Sequence, residues 1–273
     1  MSKQEQFLDV VDRDEAERRF YEAIDLNPLG SETIPLAEAL GRVLASDVAS
    51  SVDVPCFDRS NFDGFAVRAA DTYGATEEGP RQLTLLDEVI ATAVVPVFEV
   101  GAGQASAIAT GGMLPRGADA IVMIEDTDSL PDGLSVRRAV TPGAGITFAG
   151  TDIAAGETVL RAGQRLTSRE TGVLAAIGLE QVVVFRRPIV AVLSTGDEII
   201  APGTTISPGK VFDSNARMLT DAASELGAEA VSLGIVRDDA EQMRRTITRA
   251  LDRCDVLLLS GGTSKGSGDI CHR

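Results

Sequence analysis

Tryptophan is absent from this sequence, histidine occurs only as His272, and cysteine only as Cys56, Cys254 and Cys271. A single histidine beside the last residue leaves Ser/His/Asp and Cys/His catalysis without a base and gives no histidine-based metal site. Widely spaced cysteines with no C-x-x-C pair suggest neither a disulfide framework nor a zinc knuckle. Positive charge is scarce too: 25 Lys and Arg against 41 Asp and Glu leave a net charge of −16. That balance argues against nucleic acid and anionic membrane as partners, while a local nest of N–H groups still admits one anionic ligand. No apolar run approaches a membrane span, and the N-terminus is polar without a signal-peptide core, so a cytoplasmic protein is expected.

What is present is aliphatic. Hydrophobic residues make up 44% of 273 residues and aromatics only 4%, enough for two or three domains with an α/β type of core. Asp12–Glu15 reads as a capping box opening a helix with Ala16, Phe20 and Ile24 on one face, and a short helix follows Pro35. From about 80 to 140 come short Val-, Thr- and Gly-rich segments, among them Leu83–Leu86, Val94–Val97, Ala120–Ile124 and Leu134–Arg137. Residues 143–163 are Gly-rich and irregular and are expected to return to the N-terminal helices. Thr167–Glu170 is a second capping box.

From Pro188 the order is β-α-β-α-β: strands at Ile189–Ser194, Ala230–Val236 and Val256–Leu259, with capped helices between them. This predicts a mostly parallel, three-layer sheet with right-handed crossovers. The expected fold is therefore multi-domain α/β plus β. Residues 1–51 and 140–166 form a helical and extended linker domain, 52–139 a β-rich domain, and 167–273 the α/β domain.

Ligands of such sheets sit outside the carboxyl ends of the strands, near a topological switch. Three polar segments are expected there: Thr195–Glu198, Lys210–Asn215 leading into a helix N-terminus, and the Gly-rich run Ser260–Asp269. In the last, Gly261, Gly262, Ser264 and Gly266 can converge N–H groups on a phosphate, and Lys265 adds a point charge. It has the order of neither a P-loop nor a dinucleotide fingerprint. Asp63, Asp197, Glu198, Asp213 and Asp269 supply the oxygen ligands a hard cation prefers. Plainer roles stand beside these: Asp63 before Gly as a turn residue, Asp213 as a helix cap, Asp119 as a loop holder, Lys265 as a solvated loop tip.

Six motifs occur in one order: Phe57–Ala66 (FDRSNFDGFA), Thr110–Asp119 (TGGMLPRGAD), Ser194–Glu198 (STGDE), Asp213–Asn215 (DSN), Gly234–Asp239 (GIVRDD) and Ser260–Asp269 (SGGTSKGSGD). Together they resemble the molybdopterin molybdenumtransferase family, which includes MoeA and the gephyrin E domain. The resemblance implies that residues 167–273 are a molybdopterin-binding domain, incomplete at its C-terminal end. It implies molybdenum cofactor biosynthesis: Mg²⁺-dependent insertion of molybdate, itself a substrate, into adenylylated molybdopterin, with release of AMP. It also implies a homodimer in which Asp63 of one subunit works opposite Asp197 and Asp269 of the other. The catalytic residues implied are Asp63, Asp197 and Asp269, with Mg²⁺ on Asp197, Glu198 and Asp269. Substrate would be held by Ser60, Thr110, Asp119, Thr195, Gly196, Asp213, Asn215, Ser260, Gly261, Gly262, Ser264, Lys265 and Gly266.

The sequence departs from that pattern at three places. Thr151 stands where the family more often has an acid, and Thr263 and Lys265 replace apolar residues. The chain ends at Arg273, where family members continue, so a fragment, split gene product or degraded copy is expected. A non-catalytic molybdopterin-binding or scaffold protein is the alternative, and generic binding of a nucleotide or sugar phosphate a third reading.

Overall fold

A computed structural model describes residues 11–131 and 133–261. The elements begin with helix α1 (Arg13–Ala23), β1 (Ser31–Pro35), a 3₁₀ turn at Leu36–Glu38, β2 (Val48–Ala49), β3 (Arg59–Ser60) and β4 (Gly64–Val67). A 3₁₀ turn at Ala69–Thr72 leads to β5 (Arg81–Ile90), β6 (Gln104–Ile108), β7 (Ala120–Met123), a 3₁₀ turn at Ile124–Asp126, β8 (Thr127–Leu130) and β9 (Gly133–Val136). Next come β10 (Ile146–Thr147), β11 (Thr158–Leu160), α2 (Ser168–Ala176), β12 (Gln181–Phe185), β13 (Ile189–Thr195), β14 (Ile199–Ile200) and β15 (Val211–Phe212). The last are α3 (Ser214–Glu225), β16 (Glu229–Val236), α4 (Ala240–Leu251) and β17 (Val256–Ser260). Contacts divide them between two compact units, Ser46–Gln181 and the described residues of Met1–Ala45 with Val182–Arg273.

In the unit Ser46–Gln181 a six-stranded sheet runs in the order β7-β4-β6-β5-β9-β8. Its two outer strands, β7 and β8, are joined by only Ile124–Asp126, so the sheet curls until its ends are consecutive in the chain. Phe65, Val67, Leu83, Ala105, Val122, Leu134 and Val136 fill one face, as period-two alternation requires. Gly64 belongs here for a steric reason: a Cβ on it would stand 2.1 Å from the Val122 carbonyl oxygen. Val94–Val97 forms no strand and is exposed; Pro96 removes a ladder donor. The irregular segment 143–163 carries two short strands that pair within this unit. Its β10 pairs with β3 and its β11 with β2.

The other unit holds a parallel sheet in the order β16-β13-β17. The chain leaves β13 through α3 to β16, then crosses back over β13 through α4 to β17. Leu193, Val236 and Met243 form the core beneath α4, joined by Ile247 and Leu257. Asp213 and Asp239 cap α3 and α4 through their carboxylates, and Thr167 and Glu170 close the capping box of α2. The segment after Pro35 makes one 3₁₀ turn, Leu36–Glu38, shorter than the helix expected. Helix α1 forms behind its Asp12 cap but buries no residue; Phe20 is 60% exposed. Val231, Val256 and Leu259 also stay exposed on the sheet.

Candidate functional site

The reversal of direction at β13 makes the crevice between β13 and β17 the switch point of the sheet. Thr195 and Ser260 end those strands. Gly261 follows with φ +111°, and a Cβ on it would lie 2.3 Å from the Thr195 carbonyl oxygen. Only glycine allows the two strand ends to approach this closely. The Gly196 N–H donates to the Val236 carbonyl at 3.2 Å, tying the same turn to β16. Asp197 and Glu198 then project from the strand end, both exposed.

The third segment arrives through a two-residue parallel pairing of β14 with β15. It brings the Lys210 ammonium 2.5 Å from the Asp197 carbonyl oxygen. It also starts α3 beside β17, where Asn215 Nδ2 donates to Ser260 Oγ at 2.9 Å. Asp213 is buried, its Oδ1 accepting the Ala216 N–H at 3.0 Å. Ser194 is the register partner of Ser260; its hydroxyl is buried without a partner among the described residues, so a polar group remains available there. A cavity of about 360 Å³ flanks the first turns of α3, lined by Asp213, Ala216, Arg217, Thr220, Ser232 and Gly234 among others. A larger one, about 750 Å³, opens beneath α4 over Ile189, Ala191, Val231 and Leu233. The latter is lined also by Thr246, Arg249 and Ala250 of α4 and reaches Ile189 and Glu229, which begin their strands, so size alone does not mark the chemistry.

Thr195, Gly196, Asp197, Glu198, Asp213, Asn215, Ser260 and Gly261 therefore belong to one neighbourhood. Gly262, Ser264, Lys265, Gly266 and Asp269 lie outside the described residues. Among the described residues no three acidic, cysteine or histidine side chains group closely enough to hold a metal ion. Asp197 and Glu198 supply two carboxylates, a donor type that suits a hard cation.

A second cluster lies in the unit Ser46–Gln181. Asp63 Oδ1 accepts the Thr110 N–H at 2.7 Å and its hydroxyl at 2.8 Å. These bonds, the main-chain one foremost, hold the exposed Asp63 carboxyl below the usual range for aspartate by favouring its charged form. Asp58 accepts the Ala149 N–H at 2.8 Å; the Gly111 N–H donates to the Ser60 carbonyl at 2.8 Å and the Ser60 N–H to the Gly112 carbonyl at 3.0 Å. The buried Ser60 hydroxyl points inward to the Phe62 carbonyl at 2.6 Å. Asp119 is a clamp: its Oδ1 takes the Ala69 N–H at 2.6 Å and its carbonyl takes the Gly143 N–H at 2.7 Å.

Comparison with known proteins places both clusters in a family. Residues 11–178 match the MoeA N-terminal region (domain I and II), and residues 191–273 match a region described as "probable molybdopterin binding domain". The chain belongs to the MoeA family. A relative from Mycobacterium tuberculosis, named molybdopterin molybdenumtransferase 2, is 39% identical over 238 residues, covering 87% of this chain and 58% of its own. The molybdopterin molybdenumtransferase of Bacillus subtilis is 37% identical over 244 residues, covering 88% of this chain and 56% of its own. The crystal structure titled molybdopterin biosynthesis moeA protein from Pyrococcus horikoshii superposes with a TM-score of 0.83 at 40% identity, over 91% of this chain and 63% of that one. The chain thus spans a little over half the length of the curated relatives it matches.

Within this MoeA-family chain the switch-point loops fall in the second matched region and Asp63 with Thr110 in the first. Two residues of the α/β neighbourhood, Lys210 and Ser194, lie in segments singled out in the sequence but are not among its expected substrate-binding residues. Lys210 opens the Lys210–Asn215 segment, and the rarity of lysine, three of 25 basic residues, was a usable signal. The buried Ser194 hydroxyl had none, because its lack of a partner exists only in the folded sheet.

Proposed function

We propose that this chain acts in molybdenum cofactor biosynthesis, binding adenylylated molybdopterin and transferring molybdate to its dithiolene with release of AMP. The observation that carries the reading is the convergence of Gly196–Glu198, Lys210–Asn215 and Ser260–Gly261 at the switch point, inside the region matched to a molybdopterin-binding domain. Convergent N–H groups, hydroxyls and the α3 N-terminus suit a phosphate, with Thr195, Ser260 and Asn215 placed to orient it. The segment Gly262–Asp269 would add Ser264 and Lys265 as further contacts.

Mg²⁺ would be held by Asp197, Glu198 and Asp269, and when bound would offset phosphate charge. The protein's own contribution is templating: fixing substrate against Asp197 and Asp269, with Asp63 as the third catalytic residue of the proposal. We assign Ser60 and Thr110 to shaping the Asp63 turn, and Asp119 to anchoring the end of the Thr110–Asp119 loop on Ala69 and Gly143. A homodimer is part of this proposal, supported by helix α1, which buries no residue among the described ones and leaves Phe20 and Tyr21 exposed. A cytoplasmic location goes with it; no described helix is long and apolar enough to cross a membrane.

A second reading has one observation in its favour. The Thr151 hydroxyl donates to the Phe148 carbonyl at 2.6 Å, so the position where the family more often has an acid offers no charge. Such a chain would bind the pterin without turnover. The test is AMP release from adenylylated molybdopterin with molybdate and Mg²⁺. Molybdate-dependent release, abolished by Asp197→Ala, supports the transferase; binding without release supports the scaffold; no binding defeats both.

A further inference from the structure

Lys210 is the only lysine among the described residues, and it is half-buried. Between Ile200 and Lys210 the chain makes an exposed excursion, and the ammonium reaches back across its base to the Asp197 carbonyl at 2.5 Å. Main-chain bonds close the same clip: Val211 N–H to the Glu198 carbonyl at 3.0 Å, and Asp213 N–H to the Ile200 carbonyl at 2.9 Å. Ile199 N–H donates to the Gly196 carbonyl at 3.3 Å within the turn itself. The β14–β15 pairing is two residues long on each side, too short to be rigid alone. Lys210 stands one residue before that pairing, so its bond is the rung nearest the Gly196–Glu198 turn.

The carbonyl it grips belongs to the peptide between the two exposed carboxylates. Fixing that peptide fixes the direction in which Asp197 and Glu198 leave the strand end. Lysine suits the position because a compact ammonium has three rotatable donors, and one carbonyl leaves the others for a second acceptor. Its charge also offsets the repulsion of two adjacent carboxylates.

We infer that Lys210 is a positioning residue of the switch-point site, locking the Gly196–Glu198 turn so that both carboxylates are set for an anionic, nucleotide-bearing ligand. The ligand half of this role rests on the function proposed above; the clip does not.

Two measurements on the 273-residue chain separate them, using Lys210→Met, Lys210→Gln and Lys210→Arg. Hydrogen exchange at the Ile199, Val211 and Asp213 amides is expected to accelerate about tenfold or more in the Met and Gln variants. Amides of β13 and β17 should keep wild-type protection, and Arg should restore part of the loss. Wild-type exchange in both neutral variants overturns the clip.

Calorimetric titration with AMP in the presence of Mg²⁺ reads the second half. Affinity is expected to fall about tenfold or more in the neutral variants at an unchanged thermal midpoint, with recovery in Arg. Unchanged affinity in a variant whose turn has loosened overturns the positioning role. A wild-type chain that binds no AMP while the exchange data respond as expected defeats the nucleotide reading and the ligand half with it, and upholds the clip.

Discussion

The Asp63 carboxylate and Thr110 form a two-point contact across 47 residues of sequence, one Oδ1 receiving both the N–H and the hydroxyl of the threonine. The contact ties the turn before β4 to the loop after β6. Two of the family-like motifs, Phe57–Ala66 and Thr110–Asp119, thereby become one local structure. An aspartate that only closed a turn would have no need of the second donor.

Thr110→Val removes the hydroxyl and keeps the N–H. Since both bonds favour the ionised form, the Asp63 titration midpoint should move up toward the ordinary aspartate value without reaching it. Carbon-13 carboxyl NMR across the acid range reads this directly. A midpoint identical to wild type would mean that the hydroxyl does not bind the carboxylate in solution.

Gly64→Ala places a methyl where β7 crosses. With the Val122 carbonyl oxygen 2.1 Å from the new carbon, the strands must separate, and a loss of about 3 kcal/mol is expected in urea unfolding. A loss near zero would show that β4 and β7 are not so closely paired.

Asp213 can be separated into cap and carboxylate. Asp213→Asn keeps an oxygen for the Ala216 N–H and should leave stability nearly unchanged, whereas Asp213→Ala should cost about 1 kcal/mol. If AMP affinity drops in the Asn variant at constant stability, the buried carboxylate also serves the ligand. If it does not, the residue is a cap alone.

At the other end of the sheet Asp255 accepts both terminal nitrogens of Arg186, at 2.9 and 2.8 Å, and the Ile189 N–H at 2.7 Å. The guanidinium first, and then the N–H, hold its carboxyl below the usual range. A lowered folded-state pKa contributes stability that is present above the unfolded value and is lost as pH falls through the folded one. The thermal midpoint of the wild type should therefore decline in that acid window. Asp255→Asn should start lower at neutral pH and decline less steeply. Parallel curves for the two would rule out this pair as a source of acid sensitivity.

The α/β half was legible because its signals are local. An apolar run such as Ile189–Ser194, a cap such as Asp239 and a terminating Gly227 each act within a few residues, and their alternation dictates a parallel sheet. The curled sheet was legible only as short strands. That β5 pairs parallel with β6 and antiparallel with β9 depends on contacts between distant segments, and Val94–Val97 shows that strand-type composition is not enough. The acidic and glycine-rich segments of the site could be picked out in the sequence from residue type and order. Their meeting was decided by tertiary structure: Gly261 against Thr195, Asn215 on Ser260, Lys210 on the Asp197 carbonyl. Periodicity along a chain reports which face of an element is buried, whereas hydrogen bonds between loops depend on where the elements end in space, and only packing sets that.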